Sequence, residues 1–180
     1  MRITPDKQAP HRKRGATSFA LVFALVCASV GAAGCRVDMD DVHRWENTTH
    51  GPEKLVAVVT HDKYELPLRV EAALSLVRMK PRQGRRVGIG MMVDALASVT
   101  ETSPETGKAI SASLVPELIA ELKKPPPPAQ AGQPAPPDGS FPFKDAAHAL
   151  LTFERIDLIG DAELVKTLKT ALTEWAMADF

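Results

Sequence analysis

Few residues of this chain have the type and spacing that chemistry requires. Four histidines follow the N-terminal segment, His43, His50, His61 and His148. None lies in an HExxH or HxH arrangement, so no local zinc site or paired-imidazole base is encoded. Ser75, Ser98, Ser103, Ser111 and Ser113 lie in no GxSxG context. Gly88-Ile89-Gly90 follows a basic loop rather than a strand and lacks a third glycine, so it is not a dinucleotide-binding turn. These glycines are expected to permit close packing of a helix or to delay its start. With no nucleophile–base pair and no metal pattern, the expectation is no enzymatic activity and no cofactor. Three features remain. Arg78, Lys80, Arg82, Arg85 and Arg86 place five cations within nine residues. They could meet anionic lipid or an acidic partner, or form a solvated loop whose cations suit the C-terminus of the preceding helix. Trp175, Met177 and Phe180 gather large apolar groups at the last residues. Cys35 is the single thiol outside the N-terminal apolar run, which contains Cys27.

The residues before Cys35 explain its chemistry. Positions 2–14 are polar and basic, Phe19 to Val30 is continuously apolar, and Gly31-Ala32-Ala33-Gly34 is a run of small residues. Basic region, apolar region and small-residue cleavage site are the layout of a secretory signal. The apolar run is shorter than the ~20 residues of a spanning helix, although extending it through Gly34 would make a marginal uncleaved anchor. Ala32-Ala33-Gly34-Cys35 resembles the bacterial lipobox, with Ala32 where Leu is usual. The resemblance implies that the Cys35 thiol receives a diacylglyceryl group and that cleavage leaves Cys35 as the first residue. Several acyl chains hold a protein on a membrane stably where one does not. Ordinary cleavage among residues 30–33 would instead release a free secreted protein. The reading places the protein in the cell envelope, lipid-anchored to a bacterial membrane outside the cytoplasm. With Cys35 acylated, neither a disulfide nor a cysteine zinc site remains.

Charge and composition bound the rest. Five of the 22 basic and one of the 22 acidic residues precede Cys35, which leaves 17 basic and 21 acidic, a formal charge of −4. A mildly acidic domain is an ordinary soluble surface and argues against nucleic-acid binding, which wants a basic face. Aromatic residues are 5% of the chain, and Ala and Leu dominate the apolar positions, which favours helices over strands.

Turn signals divide the remainder into successive helices. A short helix is expected over 41–48 around Val42 and Trp45. Gly51-Pro52 breaks it and opens a second over 52–60, although Leu55-Val56-Ala57-Val58-Val59 also suits a buried strand. Helical spacing of Leu66, Val70, Ala73 and Val77 marks 66–79, and 86–99 follows. Ser103-Pro104-Glu105 offers an N-cap, a first-turn proline and an acid at the positive helix end. That helix should reach Leu122, with Pro116 kinking or splitting it. Residues 125–142 hold eight prolines in 18 positions, a linker or insertion that favours extended polyproline II. Two further helices are expected over 144–156 and 161–177.

Gly51 to Met79 resembles a HEAT repeat. A proline-started first helix, an Asp in the turn and a second helix opening hydrophobic-Arg are carried by Pro52, Leu55, Asp62, Leu68, Arg69, Ala72, Ala73 and Leu76. The resemblance implies that the Ala pair lets the second helix sit close to its neighbour and that Arg69 and Asp62 tie that helix to the turn. It makes the fold class all-α, a HEAT-like α-solenoid, with an irregular helical bundle as the alternative. The chain then divides into a signal peptide (1–34), HEAT-like repeats (35–124), the proline-rich linker (125–142) and a further helical pair (143–180). The function expected is a membrane-anchored module that binds or scaffolds a protein partner. A structural envelope protein with no dedicated ligand is the alternative, and a secreted or N-terminally anchored enzyme domain is disfavoured. The final helix lacks a polar cap, so Trp175, Met177 and Phe180 are expected at an interface with a partner, a second copy or the rest of a longer array. The other outcome is that Phe180 folds back on the core.

Overall fold

A computed structural model describes residues 36–82, 84–125, 138–152 and 154–179, the last without the Asp179 side chain. Residues 1–34, where a signal segment is expected, Cys35, most of the proline-rich stretch and Phe180 lie outside the described residues. Among those described there are seven α-helices and no strand. They are α1 (Met39–Trp45), α2 (Gly51–Thr60), α3 (Leu66–Arg78), α4 (Val87–Thr102), α5 (Pro104–Leu122), α6 (Phe141–Leu150) and α7 (Ala162–Asp179).

Local chemistry sets most of the boundaries. α1 begins two residues before the expected start because Asp38 and Asp41 form a reciprocal capping box, with the Asp41 amide donating to Asp38 Oδ1 at 2.9 Å. The valine-rich segment is helical, not a strand. Pro52 presets its first turn, and Leu55, Val58 and Val59 are completely or almost completely buried. α5 runs unbroken through Pro116, against the expectation of a split. The carbonyl that loses its donor belongs to Ala112, and both residues are exposed, so water can replace the missing hydrogen bond. α6 starts at Phe141, which corrects the expected linker end at 142. Its Pro142 occupies the first turn, where no backbone donor is needed.

α6 also ends at Leu150, well before the expected 156. The cause is tertiary. A turn and a 3₁₀ segment (Ile156–Leu158) bring Ile159 into the core at 1% exposure, and the Ser111 hydroxyl on α5 holds the segment by donating to the Leu158 carbonyl at 2.7 Å. Gly160 takes φ +68°, which only glycine adopts freely. Asp161 then caps α7 by accepting from the amides of Glu163 and Leu164 at 2.8 and 2.9 Å.

From Val37 onward the helices form one compact unit. Each packs on the next, and also on the next but one: α1 on α3, α2 on α4, α3 on α5, α4 on α6 and α5 on α7. Leu55, Leu76, Met92, Leu96, Ile110, Leu114, Leu118, Leu150, Ile159 and Leu168 are buried throughout this stack. Each such side chain contributes about 1.5–3 kcal/mol relative to exposure. Two small-residue contacts set helix spacing. Ala72 and Ala73 are completely buried on α3, and at Gly88 a Cβ would lie 2.2 Å from the Leu76 carbonyl oxygen, so α4 enters against α3 backbone.

Candidate functional site

The basic stretch does not present five free cations. Arg78 leaves the end of α3 and donates to Glu71 at 2.7 Å and to Glu46 at 3.1 Å. Glu46 also accepts from the Ser75 hydroxyl at 2.7 Å, and Glu71 pairs with His43 Nε2 at 2.7 Å. Five side chains thus pin α1 and the turn after it to α3. Burial pushes the Glu71 carboxyl up, but hydrogen bonds and charge from Arg78 and His43 outweigh it and hold it below the usual carboxylate range. Burial lowers Arg78, and Glu71 and Glu46 together more than reverse this, so it is raised. Arg82 donates to the carbonyls of Thr48 and Thr49 at 2.7 and 3.0 Å and closes the α1–α2 turn. Arg86 pairs with Asp145 of α6 at 2.9 Å. Lys80 and Arg85 are exposed. Three of the five cations therefore serve the fold, by acceptors 7 to 59 positions away that spacing in the basic stretch does not reveal.

The C-terminal group is also divided. Trp175 is half-buried, donates through Nε1 to the Ser140 hydroxyl at 2.6 Å and meets Phe141 edge-on, with ring centroids 5.3 Å apart. It packs against the core rather than projecting from it. Met177 is 77% exposed, the most exposed large apolar residue described. Phe180, like Cys35, lies outside the described residues.

A polar groove of about 490 Å³ lies where the α2–α3 turn meets the α4–α5 turn. Thr60, His61, Asp62 and Arg69 line one side, and Ser103 and Thr106 the other. No pattern pointed to this place, because its residues come from two turns some 40 positions apart joined only by helix stacking. Arg69 is 6% exposed. The expected tie of Arg69 to the turn runs not to the Asp62 carboxylate but to the Val59 carbonyl, which accepts from Nε at 2.8 Å. Asp62 hydrogen-bonds His61 Nδ1 at 3.0 Å instead. Burial lowers Arg69 and the Asp62 charge partly compensates. Ser103 does not cap α5 as expected. Its hydroxyl meets that of Thr106 at 2.8 Å, and no described side chain caps the helix end.

Among the described residues, no three His, Cys, Asp or Glu side chains are grouped to hold a metal ion, and no helix is long and apolar enough to cross a membrane. No protein-family model, curated protein or solved structure matches the chain.

Proposed function

We propose that this protein is a lipid-anchored, extracytoplasmic helical-repeat module that binds a protein partner. The observation that carries the reading is the packing order, in which every helix rests on the next and the next but one. The order supports reading α2–α3, α4–α5 and α6–α7 as successive hairpins of a HEAT-like solenoid, in which each unit buries itself against its neighbours, while α3 also touches α6. The hydrophobic-Arg helix supports it: Arg69 is buried and reaches back to the end of α2, and the Ala pair behind it is fully buried. Solenoids use extended surfaces for peptides and proteins, and the role is assigned by that analogy. Among the described residues, Met177 on α7 is the most exposed large apolar side chain and the one most available to a partner. The anchor rests on the apolar run ending in Ala32-Ala33-Gly34-Cys35.

Mass spectrometry of the processed N-terminus tests the anchor. The expected species begins at an acylated Cys35, and an intact Met1 or an unmodified terminus elsewhere overturns it. Affinity capture from detergent-solubilised membranes tests the role. A stoichiometric partner that is lost with Met177→Glu supports it, and recovery of the protein alone refutes it.

A further inference from the structure

The stack sorts its charges between two ends. His43 meets Glu71 and Glu46 meets Ser75, so α1 runs beside α3 in the same direction, and Met39 stands level with the first turn of α3. At the other end of α3, Gly88 enters against Leu76, and Pro52 and Glu53 of the first turn of α2 line a small notch with Lys80, Arg82 and Val87. The α1–α2 and α3–α4 turns therefore share one end of the stack. The α2–α3 and α4–α5 turns share the other, and the start of α1 lies there. The two ends are about 20 Å apart, the length of the 13-residue α3 at ~1.5 Å per residue. The first end is basic. Lys80 and Arg85 are exposed, and neither side chain is paired among the described residues. Arg82 donates to two neutral carbonyls, which leaves its charge uncancelled. Lys54 adds a cation over the Trp45 ring at 5.2 Å, and Glu53 is the carboxylate beside them. Arg78 and Arg86 are matched by Glu46 and Asp145. Val87, 48% exposed, is an apolar residue among these cations. The opposite end is acidic: Asp38, Asp40, Asp62, Glu65 and Glu101 outnumber Lys63 and the neighbouring Arg36.

We infer that the basic end, with Lys80, Arg82, Arg85 and Val87, rests on the anionic headgroups of the bilayer that holds the anchor, so that the domain lies on its side with α3 along the surface. The inference rests on acylation of Cys35 and goes beyond the protein-binding role. Val37 packs on the core, and Cys35 is two residues before it, at most about 7 Å of chain away. The anchor thus holds the acidic end against headgroups that repel it. The basic end, one helix length away, reaches headgroups that attract it once the domain tips over. Each cation near an anionic surface shifts that balance about fivefold toward contact. A few cations do not hold a free protein on a membrane, but the anchor supplies the proximity and they need only set the tilt. The chain itself carries this end to lipid, whereas an acidic protein has to be met by diffusion.

The test uses protein extracted with its anchor and reconstituted into two kinds of vesicle, phosphatidylcholine alone and phosphatidylcholine with about 25% phosphatidylglycerol. With Cys35 acylated, Val87→Cys supplies a free thiol for a bimane label, and doxyl-labelled lipid quenches it on contact. Strong quenching is expected with phosphatidylglycerol at low salt. It should fall to the phosphatidylcholine level in about 0.5 M salt, where screening leaves only a few ångströms of reach. Lys80→Gln and Arg85→Gln should each lower the ratio of quenched to unquenched label about fivefold. Both side chains are exposed, so neither substitution disturbs the fold. Equal quenching with and without phosphatidylglycerol, or no response to either substitution, overturns the proposal and leaves the basic end to an acidic protein. Failure of the protein to float with phosphatidylcholine vesicles in that salt overturns the anchor, and this inference with it.

Discussion

Gly88 and Gly90 sit two residues apart at the start of α4, yet substituting each by alanine should move stability in opposite directions. At Gly88 the added Cβ would lie 2.2 Å from the Leu76 carbonyl oxygen and 3.1 Å from its carbon. Both are backbone atoms of α3, so no rotamer change relieves the clash. α4 must shift away from α3, which loosens contacts of Leu76 and Ile89, both in the core. Overpacking of this kind costs about 1–3 kcal/mol, against which the helix gain of Ala over Gly returns up to about 1 kcal/mol. The net expectation for Gly88→Ala is a loss of about 1–2 kcal/mol. At Gly90 no described atom lies within 4 Å of an added Cβ, so only the propensity and unfolded-chain gain remains, about 0.4–1 kcal/mol of added stability. Urea denaturation followed by circular dichroism at 222 nm resolves the two signs. The midpoints should move apart at unchanged slope. If Gly88→Ala is as stable as Gly90→Ala, the close α3–α4 approach does not exist in solution and the packing order built on it fails.

The α1–α3 network carries a pH dependence whose sign follows from Glu71. Its folded carboxyl is held below its unfolded value, so the stability it contributes is present above the ordinary Glu range near ~4.3 and is lost as pH falls through the lower folded value. Acid titration of amide exchange should release α1 before the core helices, and Glu71→Gln should remove that early step. A release of α1 at neutral pH, or one unaffected by Glu71→Gln, contradicts the network. At the other end, Ser140→Ala leaves the Trp175 indole without its 2.6 Å acceptor. A loss of about 1 kcal/mol and a red-shifted Trp175 emission are expected, while an unchanged emission maximum means that the indole is not anchored there.

The sequence alone determined the elements that depend on near neighbours. Proline at the first turns of α2 and α5, apolar residues at helical spacing in α3 and the Gly160-Asp161 reset all act within a few residues, so α2, α3, α5 and α7 were legible nearly to their ends. The Cys35 context is equally local and needs no fold to be read. What only the tertiary structure decided are the choices set by distant partners. α6 stops at Leu150 because Ile159 finds a place in the core and Ser111 holds the turn that takes it there. The basic stretch becomes mostly scaffold because Glu46, the Thr48 and Thr49 carbonyls and Asp145 arrive from distant parts of the chain. Trp175 turns inward because Ser140 and Phe141, 35 and 34 positions earlier, stand beside it. The Arg69 groove was invisible for the same reason. Arg69 announces itself on α3, but its second wall, Ser103 and Thr106, exists only once α5 has stacked on α3. Hydrogen bonds and charges act over a few ångströms of space, and chain spacing reports those distances only within a turn or two of helix.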